Sequence, residues 1–115
     1  MSNIHNLIIY HEAIELVSEI GKLGKQQAFG DLITQIRRAA ISVASNIAEG
    51  AAIGNDRSFR KHLTIARGSV NVVQAQLEIM AALGSLSSKD HRIDLATRIG
   101  KRISCFIKAI DTRTG

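Results

Sequence analysis

The chain has 115 residues, with 15 Lys and Arg against 10 Asp and Glu, one Cys, no Pro and no Trp. That length fits one domain and excludes a multi-domain enzyme, and 45% hydrophobic residues with 22% charged exclude a disordered chain. The absence of Pro favours long uninterrupted helices over a turn-rich β fold, and the net charge of +5 leaves nucleic acid open as a partner.

Met1 to Asn6 carries no positive charge ahead of an apolar segment, so it does not read as a signal peptide. A first helix is expected over about residues 5–24, with Ile9, Ala13, Leu16, Val17, Ile20 and Leu23 on one face of a 3.6-residue period, and Gly21, Gly24 and Gly30 as its exit. The second, about 31–50, starts at Asp31 and places Ile36, Ala40, Val43 and Ile47 on one side before Gly50 and Gly54 end it. The third, about 55–84, starts at Asn55 and Asp56 and carries Phe59, Leu63, Ala66, Val70, Val73, Leu77 and Met80 up to Gly84. Ser87-Ser88-Lys89-Asp90 can cap the fourth, about 88–112, whose stripe is Leu95, Ala96, Ile99, Ile103, Phe106, Ile107 and Ile110. Each stripe covers part of its helix and the connections are short, so an all-α, antiparallel up-down-up-down four-helix bundle is predicted as a single domain over 1–115. No window reaches the roughly 18 apolar residues of a membrane span, and the lone Cys105 cannot form an internal disulfide, so a cytoplasmic protein with no membrane role is expected.

Apolar surface is left over. Ile65, Val72 and Ile79 recur at intervals of seven on the third helix, with Leu83 near the same line, a quarter-turn from the core row. They are either the edge of a wide core or a subunit interface. Ile33, Ile41, Ala44 and Ala48 likewise lie outside the tightest row of the second helix, and Gly68 and Gly100, inside helical patterns, suggest that another backbone approaches closely there.

On the second helix Arg38, Ser42, Ser45 and Glu49 fall at spacings of four, three and four, a polar line opposite its apolar stripe, which a solvated face also explains. The run Arg38-Ala39-Ala40-Ile41-Ser42-Val43-Ala44-Ser45-Asn46-Ile47-Ala48-Glu49-Gly50, with Phe59, Leu63, Ile65-Ala66-Arg67-Gly68-Ser69 and Gln76-Leu77 after it, resembles the four-helix-bundle family named after the 23S ribosomal RNA intervening-sequence protein. The resemblance spans nearly the whole chain. It implies a small bacterial cytosolic protein, an antiparallel four-helix bundle assembled as a homopentamer, and no established catalytic residues. The family is also similar to the accessory protein of diversity-generating retroelements, a basic pentamer that associates with a reverse transcriptase and nucleic acid. Two departures stand out: Val72 and Gln74 replace acidic residues common in the family after its Gly-Ser pair, and Phe29-Gly30 stands where Phe-Pro is usual.

The positive charge is uneven. Residues 1–30 carry a net −1, residues 31–50 balance, residues 51–86 give +2 and residues 87–115 give +4. Arg57, Arg60, Lys61 and Arg67 on the third helix and Arg98, Lys101, Arg102 and Lys108 on the fourth are therefore candidate contacts for RNA or DNA. A pentamer would carry about +25, enough for non-specific phosphate binding, although a solvated basic surface explains the same charge. Base-specific reading is poorly served by Tyr10, Phe29, Phe59 and Phe106, the only aromatics.

Chemistry is not legible. His5, His11, His62 and His91 are scattered; only His11 with Glu15 has helical ligand spacing, so no metal site is expected. Glu12, Glu15, Glu19, Glu49 and Glu78 lie mostly off the apolar stripes, which argues against a di-metal bundle, and Cys105, without a nearby His base, reads as a partly buried inert thiol. No phosphate-binding Gly-Lys-Ser/Thr loop is present. The expectation is a non-enzymatic oligomer without cofactor that acts as an accessory or scaffold for nucleic acid or a nucleic-acid enzyme. The competing expectation is a purely structural or protein-binding oligomer, in which the Arg38, Ser42, Ser45 and Glu49 line and the small residues around it form subunit contacts; Asn46 belongs to the same family motif, and Ile65, Val72 and Ile79 are interface candidates under either expectation.

Overall fold

The computed structural model describes residues 7–24 and 30–114; the expected first-helix residues 5 and 6, and Phe29, lie outside them. Four helices follow in order: α1 (Ile8–Gly21), α2 (Gly30–Ile53), α3 (Asp56–Ala82) and α4 (His91–Thr114). No strand occurs among the described residues, and none of their helices is long and apolar enough to cross a membrane.

Local chemistry sets the helix ends. Asn55, in extended backbone, accepts the Ser58 N–H on its side chain at 2.8 Å and so starts α3. Before α4, Ser87 Oγ accepts the Lys89 N–H and Asp90 Oδ1 accepts the Arg92 N–H, the capping role expected of that segment. Gly54 and Gly84 have φ of +88° and +81°, the left-handed conformation that ends α2 and the turn after α3. Gly50, expected to end α2, lies inside it instead. Its missing side chain serves packing, since a Cβ there would stand 2.8 Å from His62 Cβ and 3.0 Å from the Phe59 ring.

Helix α1 packs on α2 and α4, and α3 packs on the same two, so the helices occupy the corners of a square. Cross-bonds fix their directions. Early residues of α3 meet late ones of α4 through Arg60 and Asp111, whereas Gln74 near the end of α3 meets Thr97 near the start of α4. Gln35 pairs with Gln76 and Ser42 with Ser69 between α2 and α3, and the end of α1 meets the start of α4 where Arg92 donates to the Glu19 carbonyl. Arg37, early in α2, reaches back to the Leu23 carbonyl just after α1. Every neighbouring pair is antiparallel, the up-down-up-down order that the short connections predict.

The apolar stripes close on one another along an elongated body of 45 × 21 × 20 Å. Ile9, Leu16, Ile20, Ile36, Ile47, Leu63, Leu77, Met80, Ile99, Ile103 and Ile110 are fully buried, and Phe59 meets the half-buried Phe106 edge-on at 5.9 Å. Ile33 and Ala44 belong to this core, which is wider on α2 than its tightest row.

Candidate nucleic-acid interface

The helix-two motif does not converge on one site. Ser42 exchanges a 2.8 Å hydrogen bond with Ser69, and Asn46 Nδ2 donates to the Ser42 carbonyl and hydroxyl, so this part of the motif joins α2 to α3. Ser45 lies on the other flank, in a cleft of about 260 Å³ between α1 and α2 with Tyr10, Ile14, Val17 and Ile41. Glu49 is exposed, 3.6 Å from His62 Nε2, and Arg38 projects into solvent with no partner among the described residues. A nucleophile, a base and an orienting group are not assembled here.

The second apolar row is not the edge of a wide core. Ile65, Val72 and Ile79 are 45%, 45% and 48% exposed, and Leu83 is 56% exposed. They lie on the α2 flank of α3, in helical register with Ser69 and Gln76, which bond to α2. Ile41, at 52%, and Ile14, at 45%, form a second exposed patch across the α1/α2 cleft. The close backbone approach expected at Gly68 does not occur within the chain, since nothing lies within 4 Å of its would-be Cβ. At Gly100 the neighbour is the Val70 side chain at an ordinary 3.5 Å.

The eight candidate cations divide into two groups. Arg60 grips Asp111 with both Nε and Nη2, at 2.5 and 3.1 Å, which holds the Asp111 carboxyl below the usual carboxylate range. Arg98 and Arg102 both point Nε at Glu12, each at 2.9 Å from a different carboxylate oxygen. The Arg98 contact is a hydrogen bond, whereas the Arg102 contact is an ion pair without hydrogen-bond alignment. Glu12, placed off the stripe by sequence reasoning, is in fact buried: two guanidiniums from α4 fold over its carboxylate and make the burial tolerable. The other five, Arg57, Lys61, Arg67, Lys101 and Lys108, have no carboxylate partner among the described residues.

Two of these five share a feature that sequence reasoning missed. Arg67 and Lys101 line a shallow groove of about 590 Å³ between α3 and α4, with Asn71, Gln74, Thr97, Gly100, Ser104 and Cys105. Cys105 is exposed at its rim rather than partly buried, because it follows the solvent side of α4 while Ile103 and Ile107 face inward. The signal was in the sequence only as two i, i+3, i+4 series, 67-71-74 and 97-101-104, whose apposition needs the inter-helix register. Among the described residues no group of three His, Cys, Asp or Glu is placed to hold a metal ion.

A model of the 23S rRNA-intervening sequence protein family matches residues 5–104. The chain is also similar in fold to a crystal structure of a protein of unknown function from the S23 ribosomal protein family of Bacteroides thetaiotaomicron. That likeness has a TM-score of 0.80 and 22% identity, and covers 88% of this chain and 99% of the other. No characterised protein matches the chain. With 100 consecutive residues matched and the four helices in place, the chain belongs to the 23S rRNA-intervening sequence protein family.

Proposed function

We propose that the protein is a non-enzymatic, basic, self-assembling bundle, a cytoplasmic homopentamer that acts as an accessory or scaffold protein and binds nucleic acid, or a nucleic-acid enzyme, without sequence specificity. The observation that carries the reading is on α3: Ile65, Val72 and Ile79 stand about half exposed in a chain where five of the eight candidate cations have no carboxylate partner among the described residues. Buried between subunits, the apolar row drives assembly; repeated around a ring, the cations concentrate positive potential. Membership of a family named for an intervening sequence of 23S rRNA supports RNA as the polymer.

The competing reading, a structural or protein-binding oligomer, is favoured by one observation. Arg60 is committed to Asp111, and Arg98 and Arg102 share Glu12, so three of the eight candidate cations are engaged within the chain. Native mass and a retardation assay separate the two. An oligomer whose affinity for RNA or DNA falls steeply with salt supports the first reading; an oligomer that gives no shift at micromolar protein and low salt leaves only the second. Ile65→Asp with Val72→Asp is expected to reduce the native mass while helix content persists. Unchanged mass would sink the interface assignment.

A further inference from the structure

We infer that the α3/α4 groove is the seat of the nucleic-acid backbone, with Arg67 and Lys101 as its phosphate contacts; the inference rests on the nucleic-acid reading above. The register comes from the two cross-bonds, Arg60 with Asp111 and Gln74 with Thr97, which place residue 67 level with residue 104. At about 1.5 Å per residue, Lys101 then lies about 4.5 Å along the groove from Arg67 in one direction. Lys108, one turn beyond Ser104 on the same face of α4, lies about 6 Å in the other. Arg67 and Lys101 line the groove, and Lys108 continues along the same face of α4 beyond it.

The floor of the groove is fixed and its walls are free. Gln74 Nε2 donates to Thr97 Oγ1 at 3.1 Å, and Thr97 in turn donates to the Ile93 carbonyl at 2.9 Å. Asn71, Ser104, Arg67 and Lys101 have no hydrogen-bond partner among the described residues, so an amide, a hydroxyl and two cations remain to donate to phosphate oxygens. The exposed carboxylates of Glu78 and Asp94, one turn beyond Gln74 and one turn before Thr97, bound the cationic stretch at one end. Asn71, Lys101, Ser104 and Cys105 are all exposed, which makes the groove a trough open along its length. A small phosphorylated molecule needs most of its surface enclosed, whereas a polymer strand does not. No aromatic ring or large apolar side chain lines the trough, so it offers neither a base-stacking platform nor pockets for the side chains of an acidic peptide.

Cys105 is the only cysteine and a built-in reporter at the rim. The test uses the full chain in its native assembly with a single-stranded RNA oligomer. Maleimide labels Cys105 in the free protein, and bound RNA slows that labelling at least fivefold. Arg67→Gln with Lys101→Gln makes the salt dependence of log K shallower by at least about 1.4, two contacts at about 0.7 each. Arg57→Gln with Lys61→Gln, which removes the same charge from elsewhere on α3, changes it by less than half as much. Native mass and helix content are followed for both doubles. Equal effects of the two doubles, Cys105 labelling unmoved by bound RNA, or a Cys105 that is inert in the free assembly would each overturn the groove assignment while leaving nucleic-acid binding intact. Wild-type protein that gives no shift at low salt would overturn both.

Discussion

Gly50→Ala tests the close packing of α2 against α3 around Gly50. The added Cβ would meet His62 Cβ at 2.8 Å, Phe59 Cδ1 at 3.0 Å and Phe59 Cα at 3.3 Å. Two of these atoms belong to or adjoin the α3 backbone, so rotamer changes cannot relieve them and the helices must move apart. Overpacking of this kind costs about 1–3 kcal/mol. Alanine returns about 1 kcal/mol of helix propensity at the same position, because Gly50 lies inside α2 and its backbone is helical. The net expectation is a loss of about 1 kcal/mol, or roughly 4 °C in a chain of this size. A thermal melt followed by circular dichroism measures it, at one protein concentration because assembly makes the midpoint concentration-dependent. A Gly50→Ala midpoint equal to or above that of the wild type would refute the close approach of α2 and α3.

Three further outcomes are expected. Gly68→Ala, with nothing within 4 Å of the new Cβ, raises the stability of the dissociated chain by about 1 kcal/mol, and a lower midpoint under dissociating dilution would contradict the open surface. Glu12→Ala removes the carboxylate shared by Arg98 and Arg102; because both arginines are about half exposed, water replaces much of the contact and the loss is about 1–2 kcal/mol by denaturant titration, with the Glu12/Arg98 double-mutant cycle non-additive. Lys22 and His91, hydrogen-bonded to Glu19, hold its carboxyl down at about 2 from an ordinary 4.5. A depressed carboxylate contributes stability above its unfolded pKa and loses it below, so the Glu19 contribution fades as pH falls under about 4.5 and continues to fade toward 2; Glu19→Gln flattens the acid limb of stability over that window, and an unchanged acid profile would discount the Glu19 contacts.

The helices were legible because burial repeats with the period of the backbone. Ala13, Leu16 and Ile20, or Leu63, Ala66, Val70 and Val73, need only a 3.6-residue rule to be placed on one face. The cap at Asn55 and the stops at Gly54 and Gly84 follow from single residues with one dominant conformational use. What could not be read depends on pairs far apart in the chain. Glu12 looks like a surface acid until α4 brings Arg98 and Arg102 over it, 86 and 90 positions later. Gly50 looks like a helix terminator because glycine has two uses, and only the position of Phe59 and His62 shows that close approach is the one at work. The charge count had the same weakness. It summed Arg60, Arg98 and Arg102 with the cations that remain unpaired, a distinction that exists only after the helices pack.

Helix α3 keeps the two proposed roles physically separate. Its α2 flank, marked by the bonds of Ser69 and Gln76, carries Ile65, Val72 and Ile79, whereas its α4 flank, marked by Arg60 and Gln74, carries Arg67 and Asn71. A subunit that covered the apolar row would therefore leave the groove open, and each added subunit would repeat the groove around the assembly. Gly68 sits three residues after Ile65 and four before Val72, in the row itself. It forgoes about 1 kcal/mol of helix stability and gains no contact inside the chain in return. Within one chain that loss has no physical account; between chains it has one, because a glycine between two half-exposed apolar residues lets a neighbouring backbone approach the helix directly. Gly68→Ala is thus expected to stabilise the single chain and weaken the assembly at once, a pair of opposite signs that neither a solvated face nor a wide core would produce.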